Sequence, residues 1–131
     1  MPDDRQKELS VLRLENAKRC LMTAQSNAEI GDYKAAANRS YYAIFNAMRA
    51  VLAIDGFDAK KHSGVISVFR RLYIKNGVLP EILSEIIAAL FEVRNESDYN
   101  DFFLITFDEV HEQIVAAETF IGVVEKFLDE K

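Results

Sequence analysis

Apolar residues recur every three or four positions along almost the whole chain, and very little interrupts them. Five glycines and two prolines are all the strong breakers that 131 residues contain, too few for a many-turned β-fold. The spacing of Leu14, Ala17, Leu21, Ala24 and Ala28 predicts a first helix over about 4–30. Gly31 stops it, and Asp32 is placed to cap a second helix over about 32–54 that ends before Gly56. After a polar link from Asp55 to His62, Ser63 reads as the N-cap of a short helix carrying Val65, Ile66, Phe69, Leu72 and Tyr73, closed by Asn76-Gly77. Pro80 suits a first turn, and Ile82, Leu83, Ile86, Ile87, Leu90 and Val93 form the broad apolar face of a fourth helix. Thr106-Phe107-Asp108-Glu109 is a capping box. Behind it, Val110, Ile114, Ala117, Ile121, Val124 and Leu128 keep the alternation to the end. No strand-period segment or repeat competes. The expectation is an all-α, up-and-down bundle of about five helices with two long N-terminal ones, a single domain over 1–131.

Half of the residues are hydrophobic, enough for a core, which excludes a disordered tail. Cys20 is the only cysteine, so no disulfide framework is available. The longest apolar run, Ile86 to Phe91, falls far short of the ~20 residues that cross a bilayer. A lone thiol and a polar, acidic N-terminus lead to the expectation of a cytoplasmic protein without membrane contact. The net charge of -5 disfavours non-specific nucleic-acid binding through the whole surface. Yet the charge is uneven: residues 60–80 carry Lys60, Lys61, Arg70, Arg71 and Lys75 and no acid, whereas residues 81–131 are strongly acidic. The basic segment is either a solvated helix face pairing with the acidic C-terminal half or a grip for phosphate.

Most catalytic templates fail. Two histidines and one cysteine cannot build the usual tetrahedral zinc site, and no glycine-rich phosphate loop is present. Asp108-x-x-His111 is half of a di-metal bundle motif with no second copy, so a solvated first turn explains it better; neither metal nor cofactor is expected. Arg39, Tyr42, Asn46 and Arg49 form one polar-aromatic stripe on the second helix, and its guanidiniums need carboxylates or an anion. Lys60-Lys61-His62-Ser63-Gly64 at a loop-to-helix junction suits an anion, or is simply a capped helix start with an exposed histidine. Arg94-Asn95-Glu96-Ser97-Asp98-Tyr99-Asn100-Asp101 follows the apolar fourth helix; Arg94 and Asp98 can pair if that helix runs one turn further.

Three blocks together resemble the HEPN domain, and most closely the small stand-alone prokaryotic HEPN proteins. These are Asn38-Arg39-Ser40-Tyr41-Tyr42-Ala43-Ile44-Phe45, His62-Ser63-Gly64-Val65, and Arg94 with Asp98-Tyr99. The resemblance implies a HEPN-like bundle that forms a homodimer with the region after helix four of each copy facing a shared cleft. It also implies a minimal nucleotidyltransferase as partner in a toxin–antitoxin-like pair, one able to place AMP on a tyrosine such as Tyr99. Nuclease members of the family carry Arg-x(4–6)-His there and cleave RNA without metal. This chain departs from that motif: the fifth residue after Arg94 is Tyr99, and an ordinary tyrosine is only ~0.1 % phenolate at neutral pH.

Three functional readings follow. The first is a dimeric binding and regulatory module for a nucleotide or RNA phosphate, using Arg39, Tyr42, Asn46, Arg49, His62 and Asp98 beside Arg94 and Tyr99. The second is a metal-independent ribonuclease toxin with Arg94 and Tyr99 replacing the usual pair. The third is a structural dimerisation domain in which Arg39 and Arg94 only make ion pairs.

Overall fold

The computed structural model describes residues 2–57, 59 and 61–131. Lys60, one of the basic residues singled out above, lies outside the described residues. The described residues form five α-helices: α1 (Asp4–Glu29), α2 (Tyr33–Ile54), α3 (His62–Phe69), α4 (Ile82–Tyr99) and α5 (Phe107–Asp129). No strand occurs among the described residues.

The helix ends follow from local chemistry. Asp3 accepts a hydrogen bond from the Gln6 amide at 2.8 Å, and the Gln6 side chain accepts one from the Asp3 amide at 2.9 Å. This capping box satisfies two donors that the first turn would otherwise orphan. Asp32 caps α2 through the Ala35 amide, and Thr106 with Glu109 makes the box that opens α5. Two starts differ from expectation. Ser63 does not cap α3: the helix already begins at His62, with Lys61 before it and no side-chain cap. Arg94 and Tyr99 do not follow the fourth helix but belong to it, because α4 runs to Tyr99. The Arg94–Asp98 pair, at i and i+4, supports that extra turn.

Helix α2 is the axis of the bundle and packs against α1, α3, α4 and α5. Tyr41, Ile44, Met48, Val51 and Leu52 of α2 are fully buried against Phe69, Leu83, Ile87, Leu90, Phe120 and Val124. The alanines at 17, 24 and 28 on α1 are buried, and small side chains let helices approach closely. Ser10 donates to the Ala50 carbonyl and Arg13 to the Arg49 carbonyl, tying α1 to α2. After α3 the chain makes a π-helical turn, Arg70–Ile74, closed by the Lys75 amide on the Arg70 carbonyl at 2.8 Å. The added residue per turn lets Phe69, Tyr73 and Ile74 all turn inward. The Tyr73 hydroxyl donates to Asp55 at the end of α2; burial first, then this bond and the Asp55 charge, push its pKa up. Among the described residues no helix is long and apolar enough to cross a membrane.

Candidate phosphate site

Three elements converge on one guanidinium. Successive helical residues point about 100° apart, so the Tyr41-Tyr42 doublet of α2 splits. Tyr41 is wholly buried, while Tyr42 stays part-exposed. Both meet Arg94 of α4. Its Nη2 donates to the Tyr42 hydroxyl at 3.1 Å, and its guanidinium carbon lies 5.4 Å from the Tyr41 ring centre and 5.5 Å from that of Tyr42. Tyr99, 74 % exposed, lays its ring 5.9 Å from the same carbon. Nε of Arg94 is 3.0 Å from Asp98 Oδ2. That contact pairs two charges, but the N–H does not aim at the oxygen well enough for a hydrogen bond.

Arg39 lies one turn before Tyr42, 5.0 Å above its ring. Its Nε and Nη2 both donate to the Asn38 carbonyl oxygen of the side chain, at 3.1 and 2.7 Å, and Asn38 donates to Asp98 at 3.3 Å. No carboxylate lies within ion-pair reach of Arg39 among the described residues. The group therefore gathers two arginines around a single acid, on a protein whose net charge is -5.

His62, the first residue of α3, enters the same cluster. Its ring stacks on Phe45 at 4.1 Å and 25°, and its Nδ1 is 3.3 Å from the Tyr41 hydroxyl. Burial, then the charge of Arg94 and that of Arg49, hold its pKa below the ordinary value, so the ring is neutral at neutral pH. Burial likewise pushes the Tyr41 hydroxyl up to about 12, with Arg94 opposing and Tyr42 adding to the shift. Tyr41 is thus a fixed hydrogen-bonding hydroxyl. If it donates to Nδ1, His62 carries its proton on Nε2 and offers a hydrogen-bond donor there; if it accepts from Nδ1, Nε2 is free to act as a base.

Of the residues picked from the sequence, Arg39, Tyr42, His62, Arg94, Asp98 and Tyr99 come together. Arg49 reaches the cluster through its charge on His62. Asn46 does not face it: its amide donates to the Tyr42 carbonyl at 2.9 Å and points toward Cys20 of α1. Asn38, Tyr41 and Phe45 are site residues that the stripe did not include. The aromatic doublet followed by Phe45 was the available signal, since two adjacent tyrosines on a core helix cannot both face inward. His111 stands apart, stacked on Phe107 in the exposed first turn of α5. Among the described residues no group of three His, Cys, Asp or Glu side chains could hold a metal ion.

The HEPN domain family model matches residues 10–127. The chain belongs to the HEPN family. It is 34 % identical over 116 residues to a UPF0332 protein of Thermotoga maritima, covering 87 % of this chain and 86 % of that one. A Methanocaldococcus jannaschii protein named "Putative toxin MJ0605" is 33 % identical over 127 residues, covering 97 % of this chain and 93 % of that one. The crystal structure of TT1696 from Thermus thermophilus matches the fold with a TM-score of 0.77, covering 90 % of this chain and 97 % of that one at 23 % identity. The all-α bundle expected from the apolar spacing, and the HEPN-like form implied by the resemblance, are the fold observed.

Proposed function

We propose that this HEPN protein is a phosphate-recognising module for RNA or a nucleotide, acting as a homodimer beside a minimal nucleotidyltransferase in a toxin–antitoxin-type pair. One observation carries the reading: Arg39 has no carboxylate partner among the described residues, and stands beside Arg94 over the Tyr42 ring. A purely structural pair of arginines would each hold an acid. Two planar, always-charged forks separated by an aromatic face suit a phosphate flanked by a base or ribose. The toxin name of the Methanocaldococcus relative agrees with a paired role. The test is fluorescence anisotropy of a labelled single-stranded oligoribonucleotide at low salt. Binding that falls at least tenfold in Arg39→Ala, with helicity unchanged, supports the reading; wild-type protein that does not bind, or Arg39→Ala that binds equally well, overturns it.

A second reading, metal-independent RNA cleavage, is favoured by one specific contact: His62, held neutral and oriented by Tyr41, sits in the cluster of Arg94. In that chemistry a ribose 2′-oxygen attacks the adjacent phosphorus, the 5′-oxygen of the next nucleotide leaves, and Arg94 stabilises the charge on the phosphoryl oxygens. In this reading neutral His62, rather than Tyr99, takes the proton of the attacking 2′-hydroxyl and, once protonated, gives it to the leaving 5′-oxygen. Cleavage insensitive to EDTA and lost in both Arg94→Ala and His62→Ala would establish it; cleavage indifferent to His62 would remove His62 from that role.

A further inference from the structure

A large concavity lies outside the arginine cluster. It is an open groove of about 710 Å³ between the α3–π segment and α4. Ile66, Ile87, Ala88 and Phe91 form its floor, and Arg70, Arg71 and Lys75 its rim, with no carboxylate in the lining. Arg70 is fixed by two bonds to Ser84, Nε to the hydroxyl at 3.0 Å and Nη2 to the carbonyl at 3.1 Å. Arg71 and Lys75 are exposed and make no ion pair among the described residues. The acidic C-terminal half of the same chain therefore does not neutralise this rim.

At the far end of α4 the chain exposes the complementary surface. Phe102 is 93 % exposed and Leu104 86 %, an unusual display of large apolar side chains on neighbouring loop positions. The display is built into the loop. Asn100 accepts from the Phe102 amide through its side chain at 3.1 Å and from the Phe103 amide through its carbonyl at 3.0 Å, a turn that holds Phe102 outward. Exposed Asp101 precedes it and Asp108 follows.

We infer that the groove of one copy takes up the Phe102–Leu104 turn of a second copy, Asp101 meeting the Arg71 and Lys75 rim. This rests on the homodimer reading above and names its contact surfaces. The turn cannot fill its own groove, because α4 holds Ala88 and Tyr99 about 16 Å apart at 1.5 Å per residue. Two α4 helices laid antiparallel about Asn95 bring residue 99 of each opposite residue 91 of the other, and carry the turn that follows toward the Ala88 end of the partner's groove. The exchange then closes as a two-fold dimer, with the same patches used on both copies. Positions Ala88, Phe91, Asn95 and Tyr99 recur at three- and four-residue steps along that seam.

The experiment is light scattering and sedimentation of the full chain across 1–100 μM at 50 and 500 mM salt. Wild type is expected to be a dimer that weakens with salt. Phe102→Ala with Leu104→Ala, which removes side chains too exposed to matter for folding, raises the dissociation constant about 100-fold or more. Arg71→Glu weakens the dimer, and Asp101→Arg added to it restores association. Ala88→Cys with Leu104→Cys, in a Cys20→Ala background, gives a covalent dimer on mild oxidation. A monomeric wild type overturns both the dimer reading and this contact. A wild-type dimer unmoved by the loop and rim variants, and uncrosslinked through 88 and 104, overturns the contact alone and leaves the dimer standing. Rim variants that lose RNA binding while the dimer holds assign the groove to RNA and overturn it too.

Discussion

Asp98→Asn separates the two jobs of the arginine cluster, because it is expected to move stability and anion affinity in opposite directions. In the folded protein Asp98 neutralises Arg94 and accepts from Asn38. The two charged side chains are 16 % and 29 % exposed, between the surface regime, where a pair contributes about 0–1 kcal/mol, and the buried one, where breaking a pair costs about 3–5. Asparagine keeps the shape and one acceptor, so a loss of about 1–2 kcal/mol is expected. With a urea dependence of about 1.5 kcal/mol per molar, the midpoint falls by about 0.7–1.3 M. For a phosphate bound on the outer side of Arg94, the carboxylate is a competitor. A unit charge at ~6 Å in a medium of effective ε about 40 repels it by about 1.4 kcal/mol, which is tenfold in affinity. Urea unfolding followed by circular dichroism reads the first quantity, and anisotropy with a labelled oligoribonucleotide at fixed salt reads the second. A less stable protein that binds about tenfold more tightly fits the cluster as a phosphate site. A less stable protein that binds equally or more weakly refutes it, and makes Asp98 and Arg94 a structural latch.

Because His62 has a lowered pKa in the fold, the unfolded chain binds its proton first; stability is therefore full above about pH 6.5 and declines as pH falls through the folded value. Histidine NMR titration should find His62 below its ordinary pKa and rising when RNA or phosphate binds near Arg94, and an ordinary value without ligand would contradict the burial argument. Gly56→Ala is expected to cost about 1–2 kcal/mol and lower Tm by about 4–8 °C. Its φ is +75°, and a Cβ there would lie 2.6 Å from Gln6 Nε2, so the strain adds to disturbance of the Asp3–Gln6 cap; an unchanged melting curve would count against this. Co-expression with a minimal nucleotidyltransferase should add one AMP to the chain by intact mass, absent in Tyr99→Phe; an adduct that persists in that variant places it on another tyrosine.

The fold was readable because its causes are local. The three-four spacing of α1 and α5, the glycines with positive φ at 31, 56 and 77, and the Thr106–Glu109 box are all contained within a few residues. The π-helical turn was not readable, because Phe69, Tyr73 and Ile74 fit a helical face until the packing against α2 and α5 demands all three inward. The site was half readable. Arg39 and Tyr42 share a stripe that sequence alone defines, but Asn46 on the same stripe turns toward α1, since α1 rather than α4 faces that turn of α2. His62 could not be assigned to Arg94 from spacing: 32 positions separate them in the numbering, and only the packing of α3 on α2 sets its ring against Phe45.

The continuation of α4 through Arg94 also bears on the cleavage reading, in which the proton-carrying group would come from another helix. Five residues along an α-helix is a rotation of about 500°, which leaves position 99 some 140° around from position 94. A side chain there leans toward Arg94 only from its rim, as Tyr99 does while remaining 74 % exposed. Such a position stays in solvent at the rim of the bundle. The start of α3 offers the opposite environment. Phe45 and Tyr41 cover the ring of His62, a buried hydroxyl fixes one of its nitrogens, and two arginines keep it neutral. Of the two candidate positions, the one that suits acid–base work is the one set by tertiary packing. On that reading Tyr99→His adds a solvent-exposed imidazole beside Arg94 but does not restore cleavage lost in His62→Ala, and a double variant that cleaves like wild type would refute it.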